Sequence, residues 1–214
     1  MRSLSLILVH AKNERMVTRP LVSSVEEAVE LHQQHPDCLL LGEVDGRPIS
    51  GFDLPNSPCA VESLDLSSRR LIERTTAGTQ GVVLSSRVDH LFAASLSVAA
   101  ATAQRIRMLN PSTVTFVETG VRPKGGGEED AACCDYIESV LLDTTLPVEE
   151  IRRCVLESRA GAKFTGGQND DFPKADLDCA LKIDKFPFAM QVERRDGSLV
   201  MRCVRSTTLA DCNE

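Results

Sequence analysis

The stretch from Thr75 to Thr79 combines residue types that could bind an anion. Its sequence, TTAGT, places two adjacent hydroxyls and a glycine at the predicted start of a helix. Backbone N–H groups and hydroxyls at a helix start form a natural cradle for phosphate. The stretch lacks the Gly-Lys-Ser/Thr ending of a P-loop. A plain N-capping role for Thr75 or Thr76 is the alternative interpretation.

Three consecutive acidic residues, Glu128, Glu129 and Asp130, follow a triple glycine. Acidic residues in a first helical turn complement the helix dipole, which is one interpretation. The other is that they hold Mg²⁺, a hard ion that accepts a few carboxylate oxygens together with water and substrate phosphate. Glu43 and Asp53 could complete such a site from an earlier loop.

That earlier loop belongs to residues 39–58, LLLGEVDGRPISGFDLPNSP. The stretch begins as a short apolar strand and turns at Asp45-Gly46. Residues 49–58 then show neither helical nor strand periodicity. Irregular loops on a rigid frame often carry function, although a surface turn would have a similar composition.

Nucleophilic catalysis has little support in the sequence. There is no Gly-x-Ser-x-Gly motif, and the four histidines lie mostly in predicted scaffold elements. Cys133 and Cys134 fall inside a predicted helix with no evident activating cation beside them. The eight cysteines show neither C-x-x-C pairs nor metal-ligand spacing, which favours free thiols in a reducing cytoplasm.

Predicted strands alternate with predicted helices along much of the chain. The strands cover 17–22, 38–43, 70–74, 90–94 and 113–118. Helices are predicted after a capping box formed by Ser24 and Glu27, over 82–86 and 95–108, and from near Glu128. This alternation predicts a three-layer α/β/α fold with a mostly parallel or mixed central sheet and helices on both faces.

In sheets of this kind, ligands bind beyond the carboxyl ends of the strands. The predicted strand ends are polar and are, in chain order, Gly42-Glu43, Thr75-Thr76, Ser95 and Thr119-Gly120. The sequence therefore predicts an anion site at one edge of the sheet.

Beyond Pro147 the pattern changes. A helix is predicted over 148–158, an irregular loop over 160–174, and a helical or extended segment over 177–183. Residues 188–193 and 199–204 flank Arg195-Asp196-Gly197-Ser198, which is typical of a β-hairpin. The length fits a single domain, 1–214, in which 145–214 is a candidate C-terminal subregion.

Composition narrows the classes of partner. The net charge of −7 argues against nucleic acid, which requires a basic surface. No run of 18 apolar residues exists, so no membrane span is expected. A small anionic partner is compatible with this charge if a few cations or a metal are concentrated at the site. The oligomeric state is left open, with a homo-oligomer as one alternative.

Four motifs in order make the chain resemble the 2-phosphosulfolactate phosphatases, Mg²⁺-dependent enzymes of coenzyme M biosynthesis. Residues 42–58, GEVDGRPISGFDLPNSP, match the family's G-E-R-x-G-x-x-I-x-G-F-D-x-x-N-S-P loop. TTAGT at 75–79 matches its T-T-x-G-T, and GGGEEDAACC at 125–134 matches its glycine loop. Residues 184–202, DKFPFAMQVERRDGSLVMR, are similar to the C-terminal part of some members.

The resemblance implies hydrolysis of 2-phospho-3-sulfolactate to 3-sulfolactate and phosphate. It implies that Glu129 and Asp130 are ligands of Mg²⁺. It also implies that Asp130 acts in catalysis together with Glu43 or Asp53, as a second carboxylate or the general base. The residues expected to bind phosphate or orient substrate are Arg47, Asn56, Ser57, Thr75, Thr76, Gly78 and Thr79. Further cations that could contribute are Arg2, Arg74 and Lys124.

Two departures from the family pattern lead to alternatives. Val44 stands where the family usually has arginine, so a different anionic phosphomonoester is one alternative substrate. Family members begin with a strand ending D-V-L-R-A, and Met1-Arg2-Ser3 aligns with the end of that motif. Either the start codon is assigned too late or the first strand and its aspartate are lost, in which case the chain would be a catalytically impaired anion-binding member.

Overall fold

The computed structural model describes residues 19–66, 69–120, 126–166 and 170–205. Within these ranges the strands are β1 (Arg19–Leu21), β2 (Leu39–Val44), β3 (Arg47–Pro48), β4 (Leu54–Pro55), β5 (Leu71–Arg74), β6 (Leu91–Ala93), β7 (Phe188–Arg195) and β8 (Ser198–Arg205). The helices are α1 (Val25–Gln34), α2 (Pro58–Glu62), α3 (Gly78–Leu84), α4 (Ala99–Leu109), α5 (Glu128–Leu141), α6 (Val148–Glu157), α7 (Gly161–Thr165) and α8 (Lys174–Ala180), with a 3-10 turn at Leu96–Val98 before α4.

All these strands join one mixed sheet in the order β3-β2-β5-β1-β8-β7-β6, with β4 also paired to β2. The strands β4, β2, β5 and β1 are mutually parallel. Then β8 runs antiparallel to β1, β7 to β8, and β6 to β7. The loops that follow the four parallel strands therefore share one end of the sheet, which we call the carboxyl edge.

Alternating residues in the parallel strands face two different hydrophobic clusters. On β2, Leu40 packs with Ala28 of α1 and with Ile72. Its neighbour Leu41 faces the other way and packs in the cluster that contains Val61 of α2 and Val82 of α3. Because successive side chains of a strand point to opposite faces, helices cover both sides of the sheet. The predicted three-layer α/β/α fold is confirmed, with the sheet mixed.

Helix α1 begins where the predicted capping box places it. The Ser24 hydroxyl accepts a hydrogen bond from the Glu27 amide at 3.1 Å, and the Glu27 carboxylate accepts one from the Ser23 amide at 2.8 Å. These bonds satisfy donors that a helix start leaves without intrahelical partners. The helix ends at Gln34, just before Pro36, a residue type that cannot continue a helix.

The predicted C-terminal hairpin is confirmed. Asp196 and Gly197 both have left-handed backbone angles, with φ of 47° and 84°, and Arg195 pairs with Ser198 across the turn. Two left-handed central residues match the right-handed twist of a hairpin, which favours Asp-Gly here. The hairpin lies between β1 and β6 in the same sheet. The separate subregion 145–214 stays a prediction.

The strand predicted over 113–118 is wrong. Residues 113–118 have no regular secondary structure and are mostly exposed. The alternation of β-branched residues suits a strand, but no other strand in the described ranges pairs with it. Propensity alone does not make a strand when its hydrogen-bonding groups lack a neighbour.

The expected placement of Ser95 is also wrong. Ser95 follows β6, and β6 runs antiparallel to β1, β5 and β2. The end of β6 therefore lies at the opposite end of the sheet from Gly42 and Thr75. Direction in a sheet depends on pairing partners, which local sequence does not encode.

The loop predicted over 160–174 contains the short helix α7 and the start of α8. Arg2 and Lys124, both suggested as cations for the site, lie outside the described residues. Among the helices that are described, none is both long and apolar enough to cross a bilayer.

Candidate functional site

The carboxyl ends of β2 and β5 approach each other closely at Gly42. A Cβ atom at Gly42 would lie only 2.1 Å from the Arg74 carbonyl oxygen. No side chain larger than hydrogen fits there without moving one of the two strands. The glycine thus brings the Gly-Glu of the first motif directly beside the Thr-Thr of the second.

Glu43 connects these two motifs. Its carboxylate accepts hydrogen bonds from the Gly46 amide and the Thr76 amide, both at 2.6 Å, and from the Thr76 hydroxyl at 3.1 Å. The side chain is 1% exposed. A buried carboxylate with three donors is held firmly, and it fixes both the Asp45-Gly46 turn and the loop after β5. These contacts favour a positioning role over the predicted role of general base.

Arg74 supplies a cation at the same place. Its guanidinium donates to the Glu43 carbonyl at 2.7 Å and to the Thr76 hydroxyl at 3.3 Å. The Thr76 hydroxyl also accepts from the Asp45 amide at 2.8 Å. Arg74 is therefore an integral part of the carboxyl edge, whereas the sequence suggested it only as one of several cations.

Thr75 and Thr79 hold each other. The Thr79 amide donates to the Thr75 hydroxyl at 3.0 Å, and the Thr79 hydroxyl donates to the Thr75 carbonyl at 2.7 Å. Both side chains are buried. The Thr75 hydroxyl thus accepts from a backbone donor in the first turn of α3, which carries Gly78 at its first position. The N-cap residue of this helix is Ala77, so the expected N-capping role of Thr75 or Thr76 is wrong in the strict sense. Direct contact of the Thr75 and Thr79 hydroxyls with phosphate stays a prediction.

Thr119 and Gly120 connect the third motif (125–134) to the helix that follows the second motif (75–79). A Cβ at Gly81 in α3 would lie 2.2 Å from the Thr119 methyl carbon, so Thr119 packs on the helix that follows the TTAGT turn. The Asp130 carboxylate accepts from the Gly120 amide at 2.7 Å and from the Thr119 hydroxyl at 3.3 Å. Asp130 thereby connects the start of α5 to α3, close to the carboxyl edge.

The donor set at the start of α5 fits a hard metal ion chemically. Glu129, which is 4% exposed, and Asp130 are adjacent carboxylates beside the Thr119-Gly120 turn. Mg²⁺ commonly takes one or two protein carboxylates and completes its shell with water and substrate phosphate. Within the described ranges, no three His, Cys, Asp or Glu side chains are gathered as metal ligands. Any Mg²⁺ there would depend on substrate and water for most of its ligands.

Asp53 is separated from the other predicted carboxylates. Its side chain accepts from the Leu40 amide at 2.8 Å, at the amino end of β2. Glu43 lies three residues further along the same strand, which corresponds to roughly 10 Å. A joint role for Asp53 and Glu43 at one metal is therefore not favoured by the geometry.

Asn56 and Ser57 do reach the carboxyl edge. Pro55 of β4 pairs with Gly42 of β2, so the chain continues into Asn56 beside Glu43. The Ser57 hydroxyl accepts from the Ala60 amide at 3.2 Å and caps α2. Of the two side chains, Asn56 is thus the better placed to orient a substrate.

Arg47 lies on the exposed β3 strand. It pairs directly with Val44 of β2, whose side chain is 38% exposed. Val44, which stands where the family pattern has arginine, therefore lies next to the cationic Arg47 in the β2–β3 hairpin. Arg47 is placed where it could partly replace the missing charge.

A cavity of about 810 Å³ adjoins the second and third motifs. Its wall includes Gly78, Thr119 and Asp130, and it extends along β6 to Phe116. The part near β6 is mostly apolar, so the polar end beside Asp130 is the part suited to an anionic ligand.

The two adjacent cysteines lie on this cavity wall but are poor nucleophiles. Burial is the main cause that raises the pKa of the Cys133 thiol, and the neighbouring Cys134 and Asp130 raise it further. Burial and the neighbouring Glu118 raise the pKa of Cys134 to about 11. Both thiols are protonated at neutral pH, which agrees with the small weight that the sequence gave them.

One residue at this edge escaped the sequence interpretation. Asp176 of α8 is 2% exposed and accepts from the Ser57 hydroxyl at 2.7 Å. It lies in the first turn of its helix after Pro173, where an acidic residue normally needs no explanation beyond the helix dipole. No local pattern could have indicated a partner 119 residues away.

Comparison with known proteins identifies the group to which the sequence belongs. The model of the family described as 2-phosphosulpholactate phosphatase matches residues 2–194. The chain belongs to the 2-phosphosulfolactate phosphatase family. Membership explains why the four motifs occur in the observed order.

Several relatives carry names from this family. The chain is 31% identical over 181 residues to the "Probable 2-phosphosulfolactate phosphatase" of Bacillus subtilis (strain 168). The aligned region covers 84% of this chain and 78% of that protein. A protein of the same name from Parasynechococcus marenigrum (strain WH8102) is 43% identical over 82 residues, 38% of this chain and 34% of that protein. Another from Deinococcus radiodurans is 30% identical over 147 residues, 68% of this chain and 61% of that protein.

Proposed function

We propose that this protein hydrolyses the phosphomonoester of 2-phospho-3-sulfolactate, giving 3-sulfolactate and phosphate. The observation that carries the proposal is the meeting of three family motifs at one end of the sheet. Glu43 binds Thr76, Asn56 follows the strand paired with β2, and Thr119 packs on α3 while binding Asp130. The names of the relatives supply the substrate.

The substrate carries phosphate, carboxylate and sulfonate groups, so the site must supply compensating positive charge. Arg74 is fixed at the carboxyl edge by two hydrogen bonds, and Arg47 lies in the adjoining hairpin. Fixed cations and N–H groups need little rearrangement when charge develops on the phosphoryl group. We assign Arg74 to the phosphate end and Arg47 to a second anionic group.

We further propose that the reaction depends on Mg²⁺. Glu129 and Asp130 would hold the ion, which when bound would neutralise charge on the phosphoryl oxygens. Asp130 also keeps the Thr119-Gly120 turn in place through its two hydrogen bonds. Glu43 keeps the loop after β5 in place and so orients the Thr76 side of the site. Asn56 would orient the substrate from the β4 side.

A second candidate is a related phosphatase that acts on another small anionic phosphomonoester. The observation that favours it is Val44, an exposed apolar residue beside Arg47 in the hairpin. With one cation fewer, the site would compensate less of the negative charge of a sulfonated substrate. An ester with one anionic group fewer would then be preferred.

We also propose a pathway and a cellular compartment for this reaction. The family assignment is consistent with a role in coenzyme M biosynthesis in the cytoplasm. The expected partner is a small phosphorylated metabolite rather than nucleic acid, because the chain carries a net charge of −7.

Phosphate release tests both candidates. Purified protein is incubated with 2-phosphosulfolactate, with 2-phospholactate and with a plain phosphomonoester, each with Mg²⁺ and with EDTA. The main proposal predicts release that is highest for the sulfonated ester and that stops in EDTA. Preference for 2-phospholactate would favour the second candidate. No release from folded protein with any ester would refute both.

A further inference from the structure

We propose that Asp176 is a positioning residue for the substrate site, acting through the Asn56–Ser57 loop. The inference rests on the proposed phosphatase function and adds to it a residue outside the family motifs described above. Asp176 belongs to α8, far from the carboxyl edge in sequence, yet its carboxylate binds the segment that follows β4.

Two hydrogen bonds converge on one oxygen of this carboxylate. The Ser57 hydroxyl donates to the Asp176 Oδ1 atom at 2.7 Å, and the Cys59 amide donates to the same oxygen at 2.9 Å. The Ser57 hydroxyl in turn accepts from the Ala60 amide at 3.2 Å. Asp176 therefore satisfies two amides of the first turn of α2, one directly and one through Ser57.

These hydrogen bonds determine where the substrate loop lies. Asn56 immediately precedes Ser57, and Pro55 is fixed to Gly42 of β2 by sheet pairing. With Ser57 held on one side and Pro55 on the other, the Asn56 backbone has little freedom. A side chain that orients a substrate requires such a fixed base, since small misplacements reduce rates strongly.

Packing alone would not require a carboxylate at this position. Asp176 is 2% exposed, and removing a carboxylate from water is costly. An apolar side chain could join α8 to α2 without that cost, but it could not fix the Ser57 hydroxyl or the Cys59 amide. The buried acceptor is thus explained by the geometry that it imposes on the loop.

The chain offers a matched control in Glu62, at the other end of α2. Glu62 accepts a hydrogen bond from Lys182 at 3.1 Å and pairs with Lys185, so it also connects α2 to the α8 region. Its hydrogen bonds run to Cys179, Lys182 and Lys185, at the end of α2 away from Ser57, and it has no place in the proposed chemistry. Glu62→Gln weakens the same packing without releasing the substrate loop.

Three variants test the inference: Asp176→Ala, Asp176→Asn and Glu62→Gln. Loss of folded protein lowers the apparent kcat but leaves KM unchanged, whereas a displaced loop raises KM. We expect Asp176→Ala to raise KM for 2-phosphosulfolactate at least tenfold. Asp176→Asn keeps an acceptor oxygen and is expected within threefold of wild type, as is Glu62→Gln. Unchanged KM in Asp176→Ala, or an equal rise in Glu62→Gln, would overturn the inference.

Hydrogen exchange separates this inference from the proposed function. We expect the Cys59 and Ala60 amides to exchange at least tenfold faster in Asp176→Ala than in wild type, and no such change in Glu62→Gln. Wild-type protein without turnover would refute the proposed function alone, and the exchange rates would then decide whether Asp176 holds the loop. Unchanged exchange in Asp176→Ala would refute that hold whatever the activity.

Discussion

Replacement of Glu43 by glutamine tests whether the carboxyl edge is held together as the structure indicates. Glu43 receives three hydrogen bonds, from the Gly46 amide, the Thr76 amide and the Thr76 hydroxyl. Glutamine has nearly the same shape but only one acceptor oxygen. Whichever way the amide is turned, its NH₂ group faces one of the two backbone N–H donors.

The magnitude follows from the bonds that are lost. One charge-assisted hydrogen bond disappears, and one buried N–H group is left facing another donor. Together these effects are expected to lower the free energy of unfolding by about 2 to 4 kcal/mol. Urea unfolding followed by circular dichroism measures this loss, and the midpoint should fall by about 1 to 2 M.

Asp53→Asn is the matched control. Asp53 makes one such bond, to the Leu40 amide, and its side chain is exposed. The asparagine oxygen can accept the same bond, so the expected loss is below about 1 kcal/mol. If Glu43→Gln unfolds within about 0.5 kcal/mol of wild type, the positioning role of Glu43 is refuted. A large loss of activity in that stable variant would instead favour its role as general base.

Three further predictions concern the edge and its surroundings. Gly42→Ala should cost roughly 1 to 3 kcal/mol of unfolding free energy, measured in urea, because its Cβ would meet the Arg74 carbonyl oxygen. Hydrogen bonding from Lys185 lowers the pKa of Glu62 from 4.5 to about 2. The stabilising effect is therefore complete above about pH 4.5, so the difference in stability between wild type and Glu62→Gln should shrink as pH falls towards 2. Asp130→Asn should lower kcat/KM at least about tenfold and raise the Mg²⁺ concentration needed for half-maximal activity; unchanged values would contradict its role as a metal ligand.

Much of the local structure could be predicted because short-range chemistry determines it. Ser24 and Glu27 locate the start of α1, and Asp196-Gly197 locates the hairpin turn. Both depend on residues within one turn of the chain. The motif loops could also be placed at strand ends, since Gly42 follows the apolar run 39–41 and Thr75 follows the predicted strand 70–74.

What could not be predicted depends on distant partners. Residues 113–118 have strand-like composition, but a strand also requires a neighbour with free hydrogen-bonding groups. Ser95 was assigned to the wrong end because the direction of β6 is determined by β7, almost a hundred residues later. Asp176 was missed for the same reason, since its partner Ser57 lies in a different part of the sequence.

We propose that the carboxyl edge binds 2-phosphosulfolactate and hydrolyses its phosphomonoester. The most direct measurement is phosphate release from 2-phosphosulfolactate by the folded protein, in Mg²⁺ and after EDTA treatment. We expect saturable release that EDTA abolishes and added Mg²⁺ restores. Release no faster than in a protein-free control would contradict it.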